Sequence, residues 1–176
     1  GAMSLKAHCL PFSQIPHSSR LFTDFLSYSP NIQTFYPRSP FIQDWLKQEA
    51  TSISYDSTRR ERVSAILERQ NKGFGASDKT LTNIARLRNG ACAVVTGQQV
   101  GLFGGPTFAI YKALTAVKLA EEASATGVEA VPVFWLATYD HDLAEVNHVS
   151  LPGNDGLLQT LATTSHGVSG AQVSAI

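Results

Sequence analysis

Two short apolar runs, Ala91 to Val95 and Val131 to Ala137, stand out from a pattern that is otherwise helical. Neither alternates with polar residues, so each predicts a strand buried on both faces, as in a parallel sheet covered by helices. Between them, Thr107 to Ala125 sets Phe108, Tyr111, Leu114, Val117 and Leu119 at helical spacing. Pro106 suits the first helical position and Gly127 the stop. Strand, helix and strand make one βαβ unit with a right-handed crossover.

Upstream, Pro11, Pro16, Pro30 and Pro37 break any long helix and leave only a short one near Ser18 to Leu26, with Leu21, Phe22, Phe25 and Leu26 on one face. Ser39-Pro40 starts a second helix that buries Phe41, Ile42, Trp45 and Leu46. Ser57 or Thr58 caps a third, with Val63, Ile66 and Leu67 inward and Arg59, Arg60, Glu61, Arg62, Glu68 and Arg69 on a solvated face. Ser77 caps a fourth, with Leu81, Ile84 and Leu87 inward, and Gly90 ends it. The pattern thus divides into a helical layer over 1–90, a βαβ unit over 91–150 and a weakly patterned tail over 151–176. That tail is rich in Gly, Ser and Thr and holds one weak strand, Leu157 to Ala162. Two or three strands leave an incomplete sheet with an uncovered edge, so the chain reads as the front part of something longer.

Composition changes this picture little. The chain has 176 residues, 43% hydrophobic and 16% charged, which suits one globular core. Fourteen basic and fourteen acidic residues cancel, so charge gives no reason to expect nucleic acid or an anionic membrane as partner. Cys9 and Cys92 are far apart and predict no disulfide framework, in keeping with a reducing cytoplasm. No run approaches the roughly 20 apolar residues of a membrane span, and no signal-peptide pattern is seen. Gly1 and Ala2 ahead of Met3 read as a cloning scar.

In open parallel sheets, ligands bind outside the carboxyl ends of the strands. Thr96-Gly97-Gln98-Gln99 follows the first run, and Tyr139-Asp140-His141-Asp142 follows the second. Gly97, Gly101, Gly104 and Gly105 allow positive φ and close approach to a ligand, and the next helix offers N–H groups to an anion. The stretch matches neither the Walker A pattern nor G-x-G-x-x-G. A tight turn packing helix on strand would use the same glycines, but two adjacent amides at a strand end have no packing purpose. Lys112 either faces solvent or reaches back to this crevice. Asp140, His141 and Asp142 could move protons, hold an ammonium group or, with Glu145 and His148, bind a metal. Asp142 could equally cap a helix starting at Leu143 while Asp140 holds His141. Nothing in the spacing supports a metal site, and none is predicted.

T-G-Q-Q-V-G-L-F-G-G-P, then Tyr111-Lys112, then V-P-V-F-W-L-A-T-Y-D-H-D-L-A-E-V-N ending at Asn147, closely resembles the bacillithiol biosynthesis cysteine-adding enzymes, a family of cysteine ligases. Leu21-Phe22-Thr23-Asp24-Phe25 and Phe35-Tyr36-Pro37 are similar too, so the resemblance covers about residues 10–150. It implies a Rossmann-like α/β core related to class I nucleotidyltransferases and aminoacyl-tRNA synthetases, with connecting insertions and a C-terminal coiled coil that dimerises. The implied reaction joins cysteine to glucosaminyl malate in an amide-forming ligation. ATP is the co-substrate that such a fold suggests, and these residues leave its use open. By the resemblance, Asp140, His141 and Asp142 are the catalytic candidates. Thr96, Gly97, Gln98, Gln99, Gly101, Gly104, Gly105, Lys112 and Asn147 are the candidates for holding substrate or nucleotide. Tyr139 stands where the family usually has Glu. Two other readings compete: a binding module without catalysis, and an interaction domain whose sheet edge pairs with another chain.

Overall fold

The structure, a computed structural model, describes residues 9–41, 44–139 and 147–163. They fall into two compact units that divide after Glu49.

The first unit holds α1 (Arg20–Ser27) and α2 (Pro30–Gln33), and α3 (Trp45–Ser52) begins in it. Ser19 caps α1 by accepting from the Phe22 N–H at 3.2 Å. Phe25 packs edge-on against Tyr36 and Phe41, with ring centroids 5.1 and 5.8 Å away, and Ile32 is buried. The Tyr28 hydroxyl donates to the Tyr36 carbonyl at 2.7 Å, which closes the loop around α2. Leu21, Phe22 and Phe41, expected to face inward, are exposed, and the second helix starts at Trp45 rather than at Pro40. A side-chain turn takes its place, in which the buried Ser39 hydroxyl accepts from the Phe41 N–H. Ile42 lies outside the described residues.

The second unit holds α4 (Ser57–Gly73), α5 (Asp78–Arg88), β1 (Cys92–Gln99), α6 (Thr107–Ala125), β2 (Ala130–Ala137), β3 (His148–Pro152) and β4 (Leu158–Ala162). Helices α4 and α5 thus belong with the βαβ unit rather than to one layer running to residue 90. Strands β1 and β2 pair in parallel, from Cys92 opposite Ala130 to Gln99 opposite Ala137. Strand β1 ends four residues further on than expected, because Thr96 to Gln99 find partners in Phe134 to Ala137. Context overrides the poor strand propensity of glycine and glutamine. Strands β3 and β4 form a separate antiparallel hairpin in which Ser150 meets Thr160. Only β4 was expected. No helix among the described residues is long and apolar enough to cross a membrane.

Helix α6 has the expected limits, but its packed face differs. Ala109, Ala116, Ala120 and Ala123 are buried, whereas Phe108, Tyr111, Leu114 and Val117 are exposed. Small side chains let the helix backbone come close to β1 and β2, which large ones on that face would prevent. Pro106 is the extended N-cap residue rather than the first helical one, and Gly127 takes the positive φ after the last turn as expected. On the sheet, Val95 and Trp135 are 62% and 56% exposed, so the expected cover of both faces is not met there.

The caps and inward face of α4 are also corrected. Asp56, not Ser57 or Thr58, caps it by accepting from the Arg59 N–H at 2.7 Å. Val63 and Ile66 are exposed, and Ser64 is the fully buried position. Arg60, expected in solvent, donates to the carbonyls of Leu87 at 2.8 Å and Ala91 at 3.0 Å. A cation there adds a donor to the Leu87 carbonyl in the last turn of α5, which also accepts from the Gly90 N–H at 3.2 Å, and one to the Ala91 carbonyl just ahead of β1. On the far side of α5, Arg86 joins Glu129 at 2.7 Å and Ser124 at 3.2 Å, fastening α5 to the turn between α6 and β2. Ser77 caps α5 and Gly90 takes positive φ after it, as expected.

Glu68 accepts from Lys72 at 2.7 Å and from Arg88 at 2.9 Å. These bonds, that from Lys72 first, hold its carboxyl at about 2, down from 4.5. A depressed folded-state pKa stabilises the fold above the unfolded value and loses that stability as pH falls. This contribution should be complete above about pH 4.5 and vanish toward pH 2. Acid unfolding of Glu68→Gln should lack that part of the wild-type pH dependence, and identical profiles would contradict it. Gly97 supplies a second prediction. A Cβ there would lie 2.7 Å from the Trp135 carbonyl oxygen and 2.8 Å from its Cβ, backbone positions fixed by the pairing. Gly97→Ala should cost roughly 1–3 kcal/mol in urea unfolding, whereas an unchanged midpoint would mean that the strands can separate freely at this point.

Candidate functional site

Among the candidate residues that can be placed, Thr96, Gly97, Gln98, Gln99 and Lys112 come together at the carboxyl end of β1. Thr96, Gly97, Gln98 and Gln99 are its last residues, inside the ladder and not in a turn beyond it. Gly97 is therefore needed for close approach to Trp135 across the pair and not for a positive φ. Gly101 is extended, with φ −133°, and a single 3-10 turn follows over Leu102–Gly104. Gly104 and Gly105 do take positive φ, 89° and 78°, as expected of a glycine-rich connection. Phe103 shares that region at φ 53° and is 83% exposed, a strained position for an aromatic residue. Flanking glycines make the local bend possible. The sequence gives no sign that Phe103 itself must join it.

Lys112 reaches back toward the sheet while remaining exposed. Its Nζ donates to Gln98 Oε1 at 2.9 Å and to the Gly97 carbonyl at 3.3 Å. The Phe108 ring lies beneath it, 5.4 Å from Nζ to centroid. Gln98 Nε2 in turn donates to Gln99 Oε1 at 2.8 Å. Phe108 is a member of the site that sequence reading gave a packing role. Its signal was the four-residue spacing to Lys112, which puts both on one helix face.

This end of β1 is rich in donors. It carries a lysine ammonium and two amide groups, and the first turn of α6 follows a proline cap that makes no side-chain bond to it. Hydrogen-bond donors and a cation suit oxygen ligands that are negative or become so in a reaction. Carboxylate and phosphate oxygens both fit that description.

Asp140, His141 and Asp142 lie outside the described residues, as does Glu145. Tyr139, just before them, packs edge-on to Trp135 with ring centroids 6.4 Å apart. Asn147 serves the hairpin: its Nδ2 donates to the Thr163 carbonyl at 3.3 Å, and its own carbonyl accepts from Thr163 N–H at 2.8 Å. His148 pairs its Nδ1 with Asn147 Oδ1 at 3.3 Å. A groove of about 670 Å³ runs between α5, α6 and the first half of β2, over Ile84, Ala120, Val131 and Val133. None of the candidate residues lines it. The chemistry is better sought at the carboxyl end of β1, where cation and amides converge, than in this groove.

Comparison with known proteins bears on the same stretch. Residues 5–176 match the family model described as bacillithiol biosynthesis BshC, N-terminal Rossmann-like domain. A protein of Koribacter versatilis (strain Ellin345) named "Putative cysteine ligase BshC" is 49% identical over 166 residues, covering 94% of this chain and 31% of the relative. Proteins of the same name from Solibacter usitatus (strain Ellin6076) and Chloroherpeton thalassium (strain ATCC 35110 / GB-78) are 44% and 36% identical, over 80% and 84% of this chain. They are covered to 26% and 28% of their own length, so the chain spans under a third of each of these relatives. An α/β unit with a parallel strand pair is the fold that this match requires. The chain belongs to the BshC family of bacillithiol biosynthesis and corresponds to its N-terminal Rossmann-like domain.

Proposed function

We propose that the chain is the front part of a cysteine ligase that joins cysteine to glucosaminyl malate through an amide bond in the cytoplasm. The observation that carries this reading is the donor cluster of Lys112, Gln98 and Gln99 at the end of β1, inside a domain of a family whose members carry the name cysteine ligase. In the reaction, the substrate amine nitrogen bonds to the cysteine carboxyl carbon. The nitrogen loses a proton and the carboxyl carbon loses its hydroxyl, which together leave as the elements of water. ATP, when bound, would supply activation of that oxygen as a leaving group. Lys112 and the first turn of α6 have the donor chemistry to hold its phosphates. Gln98 and Gln99 would orient a carboxylate or carbonyl oxygen as negative charge builds on it. Asp140, His141 and Asp142 are proposed to take the amine and its proton. Thr96, Gly97, Gly101, Gly104 and Gly105 would shape the backbone around the ligand, with Asn147 at the rim. The remainder of the relatives' length is proposed to bring the dimer contact.

A second reading is favoured by one observation. Tyr139 puts an aromatic ring, packed on Trp135, where a carboxylate would serve acid–base chemistry. On that reading the domain binds the same ligands without turnover.

The test uses the chain extended to the length of its relatives, supplied with glucosaminyl malate and cysteine. Gln99→Ala should lower kcat/KM for ligation by about 10- to 100-fold, the worth of one hydrogen bond to a charged group. Unaltered turnover would remove Gln99 from the site. Ligand binding without product in the unmodified protein would favour the second reading, and Tyr139→Glu would then be the variant to restore turnover.

A further inference from the structure

Phe103 is unfavourable to this domain in two independent ways. Its backbone lies in the left-handed region, at φ 53° and ψ 29°, where a residue with a Cβ is strained and glycine is not. Its side chain is 83% exposed, so the ring gains little of what burial would give. The turn around it is nevertheless well made. The Gly104 N–H donates to the Gly101 carbonyl at 3.2 Å and the Gly105 N–H to that of Leu102 at 3.0 Å, and β3 comes beside the turn. Leu102 is half-buried, so there is room beneath for an apolar side chain, and the one at 103 is held out. Strain of this kind persists where the surroundings fix it, and it concentrates at ligand clamps.

The place of the turn in the fold says what the ring can meet. It joins the end of β1, where Lys112 Nζ meets Gln98 and the Gly97 carbonyl, to the first turn of α6. The cation and amides suit oxygen anions, whereas an exposed ring suits a flat heteroaromatic group. A nucleotide has both parts in one molecule. We propose that Phe103 is a ligand-contacting residue of this site, and that its ring stacks on the base of a nucleotide whose phosphates meet Lys112. The nucleotide rests on the ligase reading, in which ATP activates the carboxyl group, whereas the strained presentation of the ring is a property of this chain. Stacking accepts any base, so Phe103 adds affinity without choosing among them.

Phe103→Leu keeps the strain and the apolar bulk but removes the ring. In the chain extended to the length of its relatives, it should weaken ATP binding about 10-fold by calorimetry. Binding of inorganic tripolyphosphate, which has no base, should stay as in wild type, and Phe103→Tyr should bind ATP near wild type. Equal losses for the two probes, or none for ATP, would overturn the stacking role. Phe103→Gly separates this role from a packing one, because it should raise the urea midpoint by relieving strain while weakening ATP binding. A lowered midpoint would mean that another part of the protein covers the ring, and would overturn the proposal. Ligation by a wild type that binds no ATP would overturn the base contact and leave the ligase reading standing. ATP binding that depends on the ring in a protein that never ligates would support the contact and count against that reading.

Discussion

The pairing of β1 with β2 is the constraint on which the rest depends. It runs in register from Cys92 opposite Ala130 to Gln99 opposite Ala137, and it carries Thr96-Gly97-Gln98-Gln99 into the sheet instead of leaving it in a loop. A site on a strand is held more precisely than one on a loop, because its backbone is fixed by the ladder to a partner strand, here β2. Gly97 makes this possible, since a side chain there would collide with Trp135 across the pair. The alanine face of α6 lets the helix lie close to the sheet, and Lys112 crosses from that helix to the strand end. Around this unit, Arg60 and Arg86 bind α5 to α4 and to the start of β2 through backbone and carboxylate oxygens. The surrounding helices are thus fastened by charge-assisted contacts as well as by apolar burial.

Much of this was legible in the sequence. The unbroken apolar runs read as parallel strands, Thr107–Ala125 read as a helix to the residue, and Ser77, Gly90 and Gly127 marked true helix limits. The convergence of Gln98, Gln99 and Lys112 at one strand end was also within reach, because strand and helix periods bring those positions to one edge. What failed did so for physical reasons. Glycine and glutamine read as a turn because their strand propensity is low, and only a partner strand reveals otherwise. The large apolar residues of α6 read as the packed face, whereas closeness to the sheet selected the alanines, whose spacing at 109, 116, 120 and 123 was the overlooked signal. Arg60 read as solvated because the carbonyls to which it donates lie in the last turn of α5 and just ahead of β1, 27 and 31 residues away. The strained φ of Phe103 has no signal in the sequence beyond its glycine neighbours.

The exposed side chains tell a consistent story about size. Phe108, Ile110, Tyr111 and Leu114 on α6, and Trp135 and Leu136 on β2, are each at least half exposed. Two paired strands are a small part of a doubly wound sheet, and the relatives have about three times this length, since the chain covers 26–31% of them. The donor-rich strand end is by contrast already organised within this domain.

The most direct measurement is of product. The chain extended to the length of its relatives would be incubated with glucosaminyl malate and cysteine, with and without ATP, and the products followed by mass. The account predicts a species in which cysteine is joined to glucosaminyl malate with loss of water, and dependence on ATP would show whether the carboxylate is activated by nucleotide. Binding of both substrates with no such species under either condition would contradict the ligase account.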